Sequence, residues 1–425
     1  MEEWKIIKAC DYCYNVTDGT HDSPKQKEVG KHLITSKHIK ENRIDFENAY
    51  KISEEDYIKI ISRSKVDQWD ILISMIGAYC GFCCIESSTQ TDYAIKNVGL
   101  FKIGDEIKCR WLYYYLTSPQ GKEQLSILRS GSSQPYIPLG ALRNLDIPVP
   151  STQYMESTIS ILKSLDDKIE INRRINENLE QQAQALFKSW FVDFEPFQDG
   201  KFVNSELGMI PEGWKVGTLS DIIKNTISGD WGKEHPQGNH IRKVFCIRGA
   251  DIPDIKIGNK GNMPTRFILE KNYQSKVLID GDMVIEISGG SPTQSTGRAC
   301  RISNRLLDKY NNSIICTNFC KAIKPLSGYS SFLYYIWEML YNQGVMFSYE
   351  NGTTGIKNLD INGFIQKEQI IIPPIHIATD FEKMIKVFYD KIQSNGMQSE
   401  RLAQLRDTLL PKLMSGELKI NDFNN

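Results

Sequence analysis

The sequence predicts an α+β protein made of two tandem pseudo-repeated domains, each followed by a long helix, and three observations carry that prediction. Blocks of the first half return in the same order in the second, so the chain resembles itself with a period a little over half its length. Apolar runs within each half are short and β-branched, with turn residues between them and no alternation of strand and helix that a doubly wound sheet would need. Each half then stops at prolines (Pro148 and Pro150; Pro373 and Pro374) and passes into a polar, helix-favouring run.

Taken in order, Glu2–Asp11 (EEWKIIKACD) is answered by Glu212–Asp221 (EGWKVGTLSD), with Trp4 against Trp214. The polar loop Asp18–Lys25 (DGTHDSPK) is answered by Ser228–Pro236 (SGDWGKEHP), and the strand-like Trp69–Gly77 (WDILISMIG) by Gly281–Gly290 (GDMVIEISGG). Ser130–Pro150 matches Glu350–Pro374, and DKIEINRRINENLEQQ matches DKIQSNGMQSERLAQL, which sets Leu179 on Leu402. Cys109–Leu128 and Ser330–Phe347 read as helices buried on one face, their Tyr and Trp stripes being core. The expected divisions are a first domain over 1–150, a helix over 151–195, a Gly- and Pro-punctuated linker over 196–213, a second domain over 214–374 and a second helix over 375–425.

The run Leu162–Phe194 contains no Gly and no Pro, and Leu165, Ile169, Ile175, Leu179, Ala183, Leu186 and Trp190 recur mostly at steps of three and four. That spacing gives a helix one apolar face. Asn172 falls near this seam, where a buried polar residue fixes register and an exposed one is merely solvated. In the second helix Gly396 costs about 1 kcal/mol against Ala, which predicts a kink near Asn395-Gly396; Pro411 stands near the end.

Composition narrows the function. With 40% hydrophobic and 24% charged residues the chain is ordinary for a soluble globular protein. No apolar run approaches the ~20 residues that span a bilayer, and the first residues lack the layout of a signal peptide. A cytoplasmic protein without membrane partners is the expectation. A net charge of −1 means that the whole-protein field does not draw in nucleic acid, so such a role requires local basic surfaces or a basic partner.

Catalytic signatures are missing. Pro373-Pro374 lies between Ile372 and Ile375-His376, so the Asn/Asp-Pro-Pro-aromatic motif that holds a flipped base is not there. Gly352–Lys357 (GTTGIK) is too short for a phosphate loop, and Pro253-Asp254 lacks the Glu-x-Lys of a nuclease metal site. Two CxxC pairs, Cys10/Cys13 and Cys80/Cys83, could form a four-thiolate zinc site. Against it, the second pair sits in an apolar strand–turn region, and the repeat puts Ser220 and Ile223 where Cys10 and Cys13 stand. Neither a metal ligand nor a catalytic residue is assigned.

What remains are loops suited to reading a polymer. Gly131–Tyr136, with Ser132, Ser133, Gln134 and Tyr136, occupies the place that Gly352–Lys357, with Thr353, Thr354 and Lys357, occupies in the second half. Small hydroxyls beside Gly let backbone approach a phosphate or base edge, and Ser, Thr and Gln bond to such edges. Thr20, His21 and Lys25, then Trp231 and Lys233, lie in the matched polar loops; Lys37, His38 and Arg248 stand at strand ends. Thr293, Gln294 and Arg298 belong to the loop 291–298.

The tandem repeat, the run SLDDKIEINRRINENLEQQAQALFKSWFVDFEP, the Pro211–Lys215 stretch (PEGWK) and the closing Leu409–Leu418 (LLPKLMSGEL) resemble the specificity subunit of type I restriction–modification systems, over essentially the whole chain. The resemblance implies a non-catalytic, DNA-binding subunit whose two target-recognition domains each read half of a bipartite, asymmetric site. The two long helices would pack antiparallel as a spacer. Double-stranded DNA would be one partner. Two modification (methyltransferase) subunits would bring S-adenosylmethionine and methylate adenine N6, and restriction (motor/nuclease) subunits would bring ATP and Mg, with no cofactor held by this chain. A helix of about 38 residues is about 57 Å long, more than the ~34–36 Å of one DNA turn. The aromatic surplus Phe187, Trp190, Phe191 and Phe194, together with Leu409 and Leu413, is where modification subunits are expected to dock. A protein-binding scaffold without DNA recognition, and a methylation-only system, are the alternatives.

Overall fold

The computed structural model describes residues 4–40, 42–131, 134–290, 294–352 and 357–418. The chain forms two compact units, Met1–Asp167 with Ala403–Asn425, and Lys168–Leu402.

In the first unit Asn15–Asp18, Val98–Lys102, Ile71–Ser74 and Cys83–Ile85 form an antiparallel four-stranded sheet in that order. A three-stranded sheet has Lys31–Thr35 at its centre, antiparallel to Lys51–Ile52 and parallel to Tyr93–Lys96. Lys5–Lys8 pairs with Asp146–Val149. The second unit repeats the plan. Ile223–Ser228, Cys320–Pro325, Met283–Glu286 and Ala299–Arg301 form the four-stranded sheet. His240–Ile247 is the centre of the three-stranded one, antiparallel to Thr265–Leu269 and parallel to Ile314–Cys316. Lys215–Thr218 pairs with Gln369–Ile372. The fold class is α+β, and the repeat read from the sequence is a repeat of topology.

The duplication reaches single interactions. Asp70 and Asp282, at the same place before matched strands, are buried and hold Lys102 and Lys324 at 2.8 Å each. Each carboxylate also accepts a backbone N–H three residues upstream, from Asp67 and from Ile279. Trp69 and Gly281, the residues just before them, both have positive φ, 65° and 84°. Glycine adopts that conformation freely, whereas Trp69 is held in it.

Two helices of 40 residues, Thr152–Phe191 and Ile375–Met414, contribute to both cores. In the first unit Met155, Ile159 and Leu162 meet Leu410, Leu413 and Met414 around Trp111. Tyr154 donates to the Leu413 carbonyl at 2.9 Å, and Arg406 reaches Asp166 at 2.9 Å. In the second unit Ala183, Phe187 and Phe191 meet Ala378, Phe381 and Ile385. Later residues of one helix face earlier residues of the other, so they run antiparallel.

The seam departs from its sequence reading at Ile175, while Ala183 is buried as read and Asn172 takes the buried one of its two expected places. Ile171 and Ile175 are exposed, and the buried positions are Asn172 and Asn176, 1% and 5% exposed. Asn172 donates to Gln398 (2.9 Å) and Ser399 (3.2 Å). Asn395 donates to Asn176 at 2.9 Å, and Asn176 donates to the carbonyls of Ile392 and Ile257. The seam inside this unit is therefore a hydrogen-bonded polar layer.

Gly396 does not break the second helix, which is continuous through it. A Cβ there would lie 2.4 Å from the carbonyl carbon of Gly258, itself at φ +86°. Gly396 is the place where a loop's backbone touches the helix, and side-chain volume is what the position excludes. The 196–213 segment, expected as a linker, carries a hairpin of Phe202–Ser205 and Gly208–Pro211, whose Ile210 is buried in the second unit's core.

Candidate nucleic-acid interface

In the first unit the loops converge on Ser36. Its hydroxyl donates to the Asn97 carbonyl and accepts the N–H groups of Met75 and Ile76. The next residues tie in the hairpin loop: Gly77 N–H donates to the Pro135 carbonyl at 2.9 Å, and Tyr136 pairs with both Ile76 and Ser130. Around this knot stand Lys37, Gln134 and Tyr136, all exposed. His21 joins them through a 2.8 Å bond from its Nδ1 to Asn97 Oδ1, and Thr20 accepts the Asp22 N–H. Lys25 is exposed on the loop leading to Lys27, away from these bonds.

Four residues of this surface were not singled out by sequence. Lys40 lies 3.9 Å over the Tyr79 ring and donates to the Lys37 carbonyl. Arg129 reaches the Cys80 carbonyl, and Asn97 caps the knot. A cation next to an aromatic only in space leaves no sequence signal; Arg129 beside the Ser130–Tyr136 loop did.

His38 is a correction. It is 1% exposed, and its Nδ1 accepts the Thr35 N–H at 3.0 Å. Burial, with Lys37 adding repulsion, pushes the imidazole pKa down. It closes a turn and is not free to touch a ligand.

In the second unit three of the four cations singled out by sequence, Arg248, Arg298 and Lys357, are ion-paired within the fold. Arg298 grips Glu286 through two bonds of 2.7 and 2.8 Å, which raises its pKa. Arg248 holds Asp251 at 3.0 and 3.1 Å and also the Asn262 carbonyl. Lys357 pairs with Glu350 at 2.8 Å, and the same carboxylate accepts the N–H and hydroxyl of Thr296. Gln294 is exposed beside them. Trp231, with the Arg266 guanidinium 4.1 Å from its ring, and Lys233, paired through its backbone with Phe267, lie together at the edge of the three-stranded sheet. Ser132, Ser133, Thr293, Thr353 and Thr354 lie outside the described residues.

The expected docking side chains are mostly interior. Phe187, Phe191 and Phe194 are 3%, 5% and 8% exposed, packed against the rings of Phe332, Phe381 and Trp214, the last two edge-to-face. Leu413 is fully buried, while Trp190 and Leu409 are half-buried against the same cores. The aromatic surplus of the first helix fills the second unit's own core, so Phe187, Phe191, Phe194 and Leu413 are withdrawn as partner contacts.

Nine of the ten cysteines are buried and Cys10 is exposed. Burial pushes the Cys13 thiol up to about 12, far from the thiolate that zinc requires. Among the described residues no cluster of metal-binding side chains is formed, and no helix is long and apolar enough to cross a membrane.

Residues 1–181 match the family described as type I restriction modification DNA specificity domain. The chain is 31% identical over 328 residues to the type I restriction enzyme MjaIX specificity subunit of Methanocaldococcus jannaschii, spanning 75% of this chain and 71% of that protein. It is 27% identical over 376 residues to the HindI specificity subunit of Haemophilus influenzae, spanning 72% and 77%. Among solved structures, the type I restriction-modification S subunit from M. genitalium aligns over 97% of this chain and 96% of its own, at 15% identity and a TM-score of 0.49.

Proposed function

Because the chain belongs to the family of type I restriction enzyme specificity subunits, we propose that each unit reads one half of a bipartite, asymmetric site in double-stranded DNA. The readers are the domains over 1–150 and 214–374. The observation that carries this reading is one topology used twice with different residues at equivalent loop positions. One frame then presents two chemistries, as two unlike half-sites require. In the first unit Lys37, Lys40 and Arg129 offer charge to phosphates and Gln134 offers an amide to a base edge. In the second, Arg298 and Lys357 are already paired, so recognition there relies more on neutral contacts.

The chain supplies address and not chemistry. Two modification subunits bring S-adenosylmethionine and methylate adenine N6 at the site; restriction subunits bring ATP, Mg and cleavage. With a net charge of −1, part of the basic DNA channel comes from those partners. All of this takes place in the cytoplasm, where the chromosome is.

Exchanging 1–150 for the matching segment of a relative tests the reading. Sequencing the methylated sites should show a new first half-site with the second unchanged. A change in both halves, or in neither, rejects two independent readers. A methylation-only system would give the same result without cleavage of unmodified DNA.

A further inference from the structure

We propose that Phe319 is a specificity-determining residue of the second reader, making an apolar contact with a thymine methyl group in the major groove. The inference rests on the DNA-reading assignment above and names one of its contacts.

Phe319 is 58% exposed, an unusual place for a phenyl ring, while its neighbours Thr317 and Cys320 are 1% and 0% exposed. It stands on a tight turn closed by the Cys320 N–H donating to the Thr317 carbonyl at 2.9 Å. Its own carbonyl accepts the N–H groups of Ile287 (2.9 Å) and Ser288 (3.3 Å). Backbone bonds thus fix the turn on both sides, and the ring is held outward at little further entropic cost on binding.

Strand register locates the position in the repeat. Val98 pairs with Ser74 and Cys320 pairs with Glu286, so Asn97 and Phe319 precede matched residues. In the first unit the Ser36 hydroxyl bridges the Asn97 carbonyl and the Met75 and Ile76 amides. The matching turn in the second unit starts with Gly249, which has no hydroxyl, and the Phe319 carbonyl takes the amides directly. Asn97 belongs to the first candidate surface, and Phe319 holds the equivalent register position in the second unit. Beside it Ser288 pairs with Asn358 and Gly289 with Lys357, while Lys321 reaches Asn362 at 3.1 Å.

The chemistry of the ring selects the ligand. It can neither donate nor accept a conventional hydrogen bond, and the one apolar feature on major-groove base edges is the thymine methyl. The polar rim around it suits the flanking bases and phosphates.

The test uses the full chain assembled with its modification partner, on duplexes bearing the site found by methylation mapping. Phe319→Ala should weaken binding about tenfold or more and leave discrimination at the first half-site intact. Phe319→Leu should restore part of the loss. Replacing thymines of the second half-site singly by uracil should reveal one position that costs the natural protein about fourfold and costs Phe319→Ala nothing. Binding by Phe319→Ala within twofold of the natural protein, uracil penalties equal in both proteins, or a second half-site made only of G·C pairs would each overturn the inference. A natural complex that prefers its mapped site over a scrambled duplex keeps the parent reading intact in all three cases; one that does not rejects the parent reading and this inference together.

Discussion

Thr35 and Arg248 begin the same short turn in the two units, and the residue three positions later closes it with different chemistry. His38 Nδ1 accepts the Thr35 N–H at 3.0 Å; Asp251 Oδ2 accepts the Arg248 N–H at 2.9 Å. Burial lowers the His38 pKa, Lys37 and Lys40 lower it further, and Asp45 opposes them. Burial alone would raise that of Asp251, but Arg248 and two backbone amides outweigh it and hold it low. Both groups thus have depressed folded values. The stabilisation each gives is present above its unfolded pKa and lost as pH falls through the folded one. Those windows start near 6.5 for the imidazole and near 3.9 for the carboxylate. Hydrogen exchange read at single amides from pH 7 downward should therefore show Thr35 losing protection first, with Arg248 still protected at pH 5. Simultaneous loss would contradict the two-cap account. The doublet Lys37-His38 looks uniformly basic in sequence; only the fold shows that one side chain faces water and the other turns back on its own backbone.

At the scale of elements, the helix pair was legible in its existence and its starting points; the second helix, expected over 375–425, ends at Met414, the first, expected over 151–195, at Phe191, and the inner face was less legible still. Periodicity favoured Ile175 for the seam because Ile is apolar, and it left Asn172 open between a buried and a solvated place; Asn172 and Asn176 are both inside, bonded to Gln398 and Asn395 more than 200 residues away in sequence. No local pattern announces a distant partner. Gly396 was misread for the same reason. Ala is the better helix former by about 1 kcal/mol, so a helix in isolation would gain from Gly396→Ala. Here the added methyl would lie 2.4 Å from backbone that has no side chain to swing away. Overpacking of that kind costs about 1–3 kcal/mol and outweighs the propensity. Gly396→Ala should thus lower the urea midpoint of unfolding; a raised midpoint would mean that the Gly258 loop yields easily.

At the scale of the molecule, the repeat was the most legible feature, since matched blocks fell on matched strands, with Pro150 and Pro373 directly following Asp146–Val149 and Gln369–Ile372 and Pro148 lying inside the first of them. The charge of the loops was only partly legible, because ion pairs such as Arg298–Glu286 cancel charges that the sequence displays as available. The second unit is one unbroken stretch, Lys168–Leu402, whereas the first is closed by Ala403–Asn425, with Leu410, Leu413 and Met414 in its core. That arrangement has a consequence for synthesis. A ribosome makes most of the first unit early, yet the residues that finish its core leave the exit tunnel after the whole second unit has emerged. The usual order, in which N-terminal domains fold first, is reversed: residues 168–402 can become protease-resistant while 1–167 still waits. Nascent chains stalled through a flexible extension fused after Leu402, long enough to bring Leu402 out of the tunnel, should show a protected fragment from the second unit alone, and adding Ala403–Asn425 ahead of that extension should protect the first. Resistance of 1–167 in the stalled chain would show that its core closes without the returning helix.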